Sequence, residues 1–323
     1  MKIKKMILYI LLFGISFSIT KADSFVVISG DATIIEEKDM HYKQSVASIS
    51  KIMTAIVAIE NGNLDKKVEV NKEATQVEGS SLYLKDKQTY TYKELLYGLM
   101  LRSGNDAACL IAHNANINYK NFIDKMNETA KRIGMLNSTF NNESGLDING
   151  GNISTAYDMA VLMNYAMKNP IFKEICGTKL YDNNYNIRWK NKNKLLFNDK
   201  RIIAGKTGYT RLAGRTLVSY ASYDDLDLII VSLNKQNDFE FHQNTYNLNF
   251  EKYKSMIVLD VGEYKYKNYV FKVLEPIKTT IKIDGSSKVT YDYKIEGDSL
   301  VLSVDNEMKS NVYTFPLTKA KML

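Results

Sequence analysis

Ser48 and Lys51 stand three residues apart at the start of an apolar run with helical spacing, Ile49, Ile52, Met53, Ile56, Val57 and Ile59, which Asn61-Gly62 ends. Both side chains therefore leave one helix face within reach of each other. A neutral lysine can take a serine proton, provided burial and a second cation depress its pKa. The start of a helix adds backbone N–H groups and positive potential beside the serine. The spacing alone is weak, because it recurs at Ser18 with Lys21 and at Ser232 with Lys235; only the pair at 48 and 51 opens a helix. Two further clusters occur once each: Ser103-Gly104-Asn105 in a break between helices, and Lys206-Thr207-Gly208 directly after a predicted strand. Singly, these residues read as an N-cap, a turn and a solvated strand-end lysine; their joint presence points to chemistry. A Ser-His-Asp hydrolase does not fit, since there is no GxSxG elbow.

The elements that must hold these residues are readable around them. Residues 24–29 and 32–35, separated by Gly30-Asp31, read as a hairpin. Thr91 and Glu94 form a capping box ahead of a helix through 95–101, and a second helix starts near Asp106. Residues 119–133 are helical up to Gly134, and Ser154 caps a helix running toward Asn169-Pro170. Asp106 and Asp158 fall in first helical turns, where a carboxylate meets backbone N–H groups, so both read as structural. After a polar stretch at 181–193 the pattern turns to strands at 201–204, 215–222 and 226–233. Strands at both ends with helices between imply one sheet completed by the two termini of a domain. Beyond about residue 260 alternation dominates, as in Leu300, Leu302 and Val304, and a small all-β domain is expected.

Bulk properties narrow the setting. The 323 residues, 45% of them apolar, suffice for one large domain and a small one. Lys2, Lys4 and Lys5 precede the apolar residues 6–17, with Thr20 and Ala22 as a small-residue cleavage site, so residues 1–22 read as a signal peptide rather than a retained anchor. Cleavage after Ala22 removes four lysines and no acid, lowering the net charge from +7 to +3. Basic and acidic residues are interspersed, which argues against nucleic acid as a partner, although a weakly positive surface suits an anionic wall polymer. Cys109 and Cys176 lie in apolar stretches and read as buried free thiols. His41, His113 and His242 lack metal-ligand spacing.

Together and in this order, the three clusters resemble the active-site triplet of penicillin-binding proteins and class A β-lactamases. The segments 47–54, 103–108, 154–160 and 205–210 are similar to those of the low-molecular-mass D-alanyl-D-alanine carboxypeptidases, and the resemblance covers about residues 24–257. It implies an α/β (α+β) fold: a transpeptidase-like domain at 23–258 with a central antiparallel sheet flanked by helices, and a β-rich domain at 259–323. It further implies that Ser48 attacks the carbonyl of the penultimate D-alanine and forms an acyl-enzyme, with Lys51 as general base. Ser103 would relay a proton to the leaving nitrogen, and Asn105 would hold the substrate amide and support Lys51. Lys206 and Thr207 would bind the terminal carboxylate beside Gly208, with the Lys206 charge lowering the Lys51 pKa. The backbone N–H groups of Ser48 and Tyr209 would form an oxyanion hole. The implied partners are a peptidoglycan stem peptide ending in D-Ala-D-Ala and β-lactams as covalent inhibitors, with no metal or organic cofactor. The implied location is the outer face of the cytoplasmic membrane or the wall, with peripheral membrane association left open.

Two alternatives share these residues. A class A β-lactamase uses an added glutamate for deacylation, but no Glu-x-x-Leu-Asn segment lies between the second and third clusters. Glu143, in the loop 142–146, is the one acid in a suggestive place, and its surroundings match the carboxypeptidases. The other alternative is a wall-binding protein that has lost turnover. Two departures from the family pattern stand out: Tyr209 where many relatives have histidine, and no proline beside Gly145.

Overall fold

Phe25, Val26, Val27 and Ile28 are aromatic and β-branched residues of the kind that pack well on a pleated surface, and Ser24–Ser29 forms the strand β1. The computed structural model describes residues 23–319, so the segment expected to be a signal peptide lies outside the described residues. With β2 (Ile34–Lys38), β3 (Ile202–Thr210), β4 (Gly214–Tyr223) and β5 (Leu226–Leu233), β1 builds a five-stranded sheet in the order β2-β1-β5-β4-β3. All its pairings are antiparallel, and Ser24 lies opposite Leu233 while Ser29 lies opposite Leu228. The two ends of the catalytic region therefore close one sheet, as the sequence pattern implies.

Both faces of that sheet are covered. Val26, Ile28, Val218, Ile229 and Val231 point into the larger core, packed with α1 (Lys51–Asn61), α2 (Asn105–Asn114) and α3 (Ala156–Met167). The alternate residues Val27, Leu217, Leu228 and Ile230 face a smaller core against Tyr246 and Phe250 of α4 (Asp238–Lys252). Period-two alternation between two apolar layers explains why these strands read as nearly continuous hydrophobic runs.

Local details refine the sequence reading. The capping box of Thr91 and Glu94 is present, but the helix Tyr92–Tyr97 gives way to a π-turn at Gly98–Arg102. Thr155, not Ser154, caps α3: its side chain accepts from the Asp158 N–H, while Ser154 pairs in a short strand with Gln44. The stretch 181–193 is not featureless, because Leu180–Asp182 and Arg188–Lys190 form a small hairpin. The C-terminal strands have their own core of Phe271, Val273, Ile277, Leu300, Leu302 and Val304. Its first strand, Tyr253–Leu259, starts directly after α4 and pairs with Ile277–Lys282, so the pairing changes from one unit to the next at Tyr253. The two units meet at the turn after β1. There the Asp31 carboxylate accepts from the Thr280 N–H at 3.0 Å and its hydroxyl at 2.9 Å, and Lys309 Nζ donates to the Asp31 carbonyl at 2.8 Å.

Candidate active site

Ser48 sits in a 3-10 turn, Ala47–Ser50, that runs directly into α1 at Lys51. The N-cap position is Val46, so the Ser48 hydroxyl is not used in capping. Ala47 takes a left-handed φ of 50°, and the turn is braced by Gly145, whose φ is +80°. A Cβ on Gly145 would lie 2.1 Å from the Ala47 carbonyl oxygen, so only glycine lets the loop 142–146 come this close. The loop keeps its shape without proline because Asn142 Oδ1 accepts from the N–H groups of Ser144 at 3.1 Å and Gly145 at 2.7 Å.

Lys51 is fully buried. Its Nζ lies 3.3 Å from Ser48 Oγ and donates to Asn105 Oδ1 at 2.7 Å and to the Ser144 carbonyl. Asn105 is oriented in turn by donating to the Glu78 carbonyl at 2.6 Å. The π-turn matters here. Its extra residue delivers Ser103 in the left-handed region, φ 64° and ψ 34°, immediately before α2 begins at Asn105. Ser103 Oγ then accepts from Lys206 Nζ at 3.0 Å. Lys206, Thr207 and Gly208 lie within β3 rather than after it, with Gly208 opposite Thr216 on β4. A Cβ on Gly208 would come within 2.4 Å of Thr216 Oγ1 and 2.9 Å of the Ser48 nitrogen, so this glycine sets how closely β3 approaches the Ser48 turn.

Burial is the main influence on both lysines. It pulls the Lys51 pKa down to about 7, with the Lys192 charge acting in the same direction and Glu143 opposing. Burial also takes Lys206 well below its ordinary range, and the charges of Lys51 and Lys192 push it further. Lys51 and Lys206 repel each other, and a repulsion between two charges acts on both, so the Lys206 charge and that of Lys192 each oppose protonation of Lys51. Such a pair resists holding two protons at once, so the two amines titrate as a coupled unit.

All eight residues singled out from the sequence converge. Ser48, Ser103, Thr207, Gly208 and Tyr209 line a cleft of about 290 Å³, with Lys51, Asn105 and Lys206 immediately behind it through the bonds above. A larger cleft of about 580 Å³ between the two units, beside Asp31 and Lys278, contains none of them. Tyr209 is 66% exposed at the cleft. The sequence reading missed five residues of the cleft wall: Ser80, Lys192, Arg215, Asp238 and Phe239. Lys192 Nζ donates to Ser80 Oγ at 3.1 Å, and Arg215 pairs with the buried Asp238 at 2.6 Å. No pattern in the sequence singles out Lys192: Trp189, Asn191 and Asn193 are buried while Lys190, Lys192 and Lys194 are exposed, but residues 190–194 are all polar. Asp106 and Asp158 are structural: Asp106 accepts from the N–H groups of Leu82 and Leu84, and Asp158 from that of Asn137 and the hydroxyl of Ser138. None of the three histidines lines the cleft.

A serine beside a buried lysine of depressed pKa, on an antiparallel sheet flanked by helices, fits the class of serine-type peptidases. The chain belongs to the D-alanyl-D-alanine carboxypeptidase family, whose model matches residues 16–237. It is 28% identical over 284 residues to the D-alanyl-D-alanine carboxypeptidase DacF of Bacillus subtilis (strain 168), covering 81% of this chain and 73% of that one. To the D-alanyl-D-alanine carboxypeptidase DacB2 of Mycobacterium tuberculosis it is 32% identical, covering 66% of this chain and 74% of the relative. The fold is that of penicillin binding protein 5 from Haemophilus influenzae, with a TM-score of 0.78 at 20% identity over 92% of this chain and 96% of the other. That overlap includes the C-terminal β-rich unit.

Proposed function

We infer that the protein is exported and removes the terminal D-alanine from peptidoglycan stem peptides through an acyl-enzyme on Ser48. The observation that carries this reading is the contact of Lys51 Nζ with Ser48 Oγ at 3.3 Å, in a site where burial keeps the amine pKa near 7. The neutral Lys51 amine takes the hydroxyl proton as Oγ attacks the penultimate carbonyl. The Ser48 and Tyr209 N–H groups receive the developing oxyanion, and Ser103 passes a proton to the departing D-alanine nitrogen. Asn105 holds Lys51 and the substrate amide. Lys206 and Thr207 take the terminal carboxylate, whose charge restores a proton to Lys206. Water then releases the trimmed peptide and the free Ser48. A β-lactam enters the same sequence and stalls as the acyl-enzyme. The charged start and apolar run of residues 1–22 support export, to the outer face of the membrane or the wall.

The test is mass spectrometry of a D-Ala-D-Ala pentapeptide and of labelled penicillin, each incubated with the parent and with Ser48→Ala. The parent should release D-alanine and bind one penicillin covalently; Ser48→Ala should lose both by several orders of magnitude. Covalent labelling of the Ser48→Ala protein at the parental rate would sink the assignment.

A further inference from the structure

The loop 142–146 lies along the same helix face that carries Lys51. Gly145 packs against the Ala47 carbonyl, the Ser144 carbonyl accepts from Lys51 Nζ, and the Glu143 carbonyl accepts from Thr54 Oγ1 at 2.8 Å. Ala47, Lys51 and Thr54 succeed one another at helical spacing, so the loop runs antiparallel to α1 and holds Glu143 one turn beyond Lys51. Asn152 ties the loop down by donating to the Asn142 carbonyl at 2.9 Å and to Ser50 Oγ at 3.0 Å. Glu143 is only 9% exposed. Its Oε2 accepts at 2.7 Å from the hydroxyl of Tyr119, on the helix Tyr119–Arg132, and the Tyr119 ring stacks on His113. Among the described residues Glu143 forms no ion pair. A carboxylate taken from water and given one neutral donor is costly unless a positive charge forms near it.

The groups around Lys51 differ in what they do when it becomes an ammonium. Lys192 and Lys206 repel it. Asn105 Oδ1 and the Ser144 carbonyl accept from it but carry no charge. Asp106 is negative, but its oxygens already serve the Ser81 hydroxyl and the N–H groups of Leu82, Leu84 and Ala107. Of these two acids Glu143 favours the ammonium more strongly. Around Glu143 itself, burial keeps Tyr119 and Cys109 protonated and neutral, so neither competes with its charge. We propose that Glu143 is a positioning residue for the base: its carboxylate stabilises the ammonium that Lys51 becomes when it takes the Ser48 proton. This rests on the reading of Lys51 as the base. The Ser48 O–H bond breaks as Oγ joins the carbonyl carbon, and the proton goes to Nζ. No proton passes to Glu143, which does not line the cleft.

The experiment compares pH profiles of acylation by a soluble β-lactam, using the full chain. Glu143→Gln keeps the volume and an acceptor for Tyr119 while removing the charge. The ammonium is then disfavoured and the neutral amine persists to lower pH, so the inflection should fall by about one pH unit. A weaker base should also lower the plateau above the inflection about three- to tenfold. Below the inflection the two effects oppose, and the variant should be as fast as the parent or faster. Glu143→Asp restores the charge and should return the inflection to the parental position. An unmoved inflection in Glu143→Gln, or a loss of rate equal at every pH, would overturn the proposal, because a loop merely displaced slows acylation without changing what titrates. An inflection that stays low in Glu143→Asp would do the same. NMR titration of the lysine ε-carbons, with the Lys51 signal assigned by its absence in Lys51→Arg, separates this proposal from the reading beneath it. If the Lys51 titration moves down in Glu143→Gln and acylation does not follow, Lys51 is not the base and both readings fall. If neither moves while parental acylation still tracks Lys51, only the part given to Glu143 is lost.

Discussion

Burial holds the Lys51 amine near pKa 7, and the Lys192 charge adds to the effect. The form that can take the Ser48 proton is the neutral one, populated above that pKa. Acylation by a soluble β-lactam should therefore rise about tenfold per pH unit below 7 and level off above it. Lys192→Ala removes a repelling cation, so the rise should move to higher pH. A profile flat between about pH 5 and pH 9 in stopped-flow acylation would exclude Lys51 as the base. The eight residues with these tasks were legible because each lies in a short run with its own chemistry, Ser48 with Lys51, Ser103 with Asn105, and Lys206 through Tyr209. Lys192, Arg215 and Asp238 were not. Each is one polar residue among many, and its meaning arises only from what the fold sets beside it, as in the 2.6 Å pair of Arg215 and Asp238.

The strands of the sheet announced themselves by β-branched runs, and α1 by its apolar spacing, but α4 gave no such signal. Its buried face carries Asp238, His242, Thr245, Tyr246, Asn249 and Phe250, which have helical spacing but are mostly polar. The imidazole is matched inside: His242 Nδ1 lies 2.6 Å from Ser219 Oγ, and Nε2 lies 2.9 Å from Ser232 Oγ. Burial disfavours the imidazolium, bringing the His242 pKa from 6.5 to about 3. Below pH 6.5 the unfolded chain takes a proton that the folded one refuses, so stability is full above 6.5 and declines as the pH falls toward 3. The slope from this residue is at most about 1.4 kcal/mol per pH unit. Urea midpoints at about pH 7 and pH 4.5 should differ more for the parent than for His242→Gln. An equal difference in both proteins would mean that other groups set the acid sensitivity. Asp199, held near pKa 2 chiefly by Arg201, acts only below the ordinary carboxylate range of 3.8 and so falls in a separate window.

At the scale of the molecule, the β-rich unit joins the catalytic one through polar bonds at Asp31 and contributes none of the site residues. A chain ending at residue 252 should be acylated within about threefold of the parental rate, since no named catalytic contact is lost. A soluble, folded fragment that cannot be acylated would show that the second unit completes the site. A cut after residue 258 should do worse, because it leaves most of the strand Tyr253–Leu259 without its partner Ile277–Lys282 and exposes an open edge. Light scattering of the two fragments would separate them. The division between units was legible as a change from helical to alternating pattern; its position was not, because alternation begins in Tyr253–Leu259 before the apolar residues become regular. The sheet order has one more consequence, in time rather than in space. β1 finds its inner neighbour only in β5, with Ser24 opposite Leu233, about two hundred residues later in the chain. A polypeptide emerging amino end first cannot close this sheet until most of it has been made, and such non-local closure is slow. The topology itself postpones folding, and keeps the chain threadable through a narrow channel for most of its synthesis.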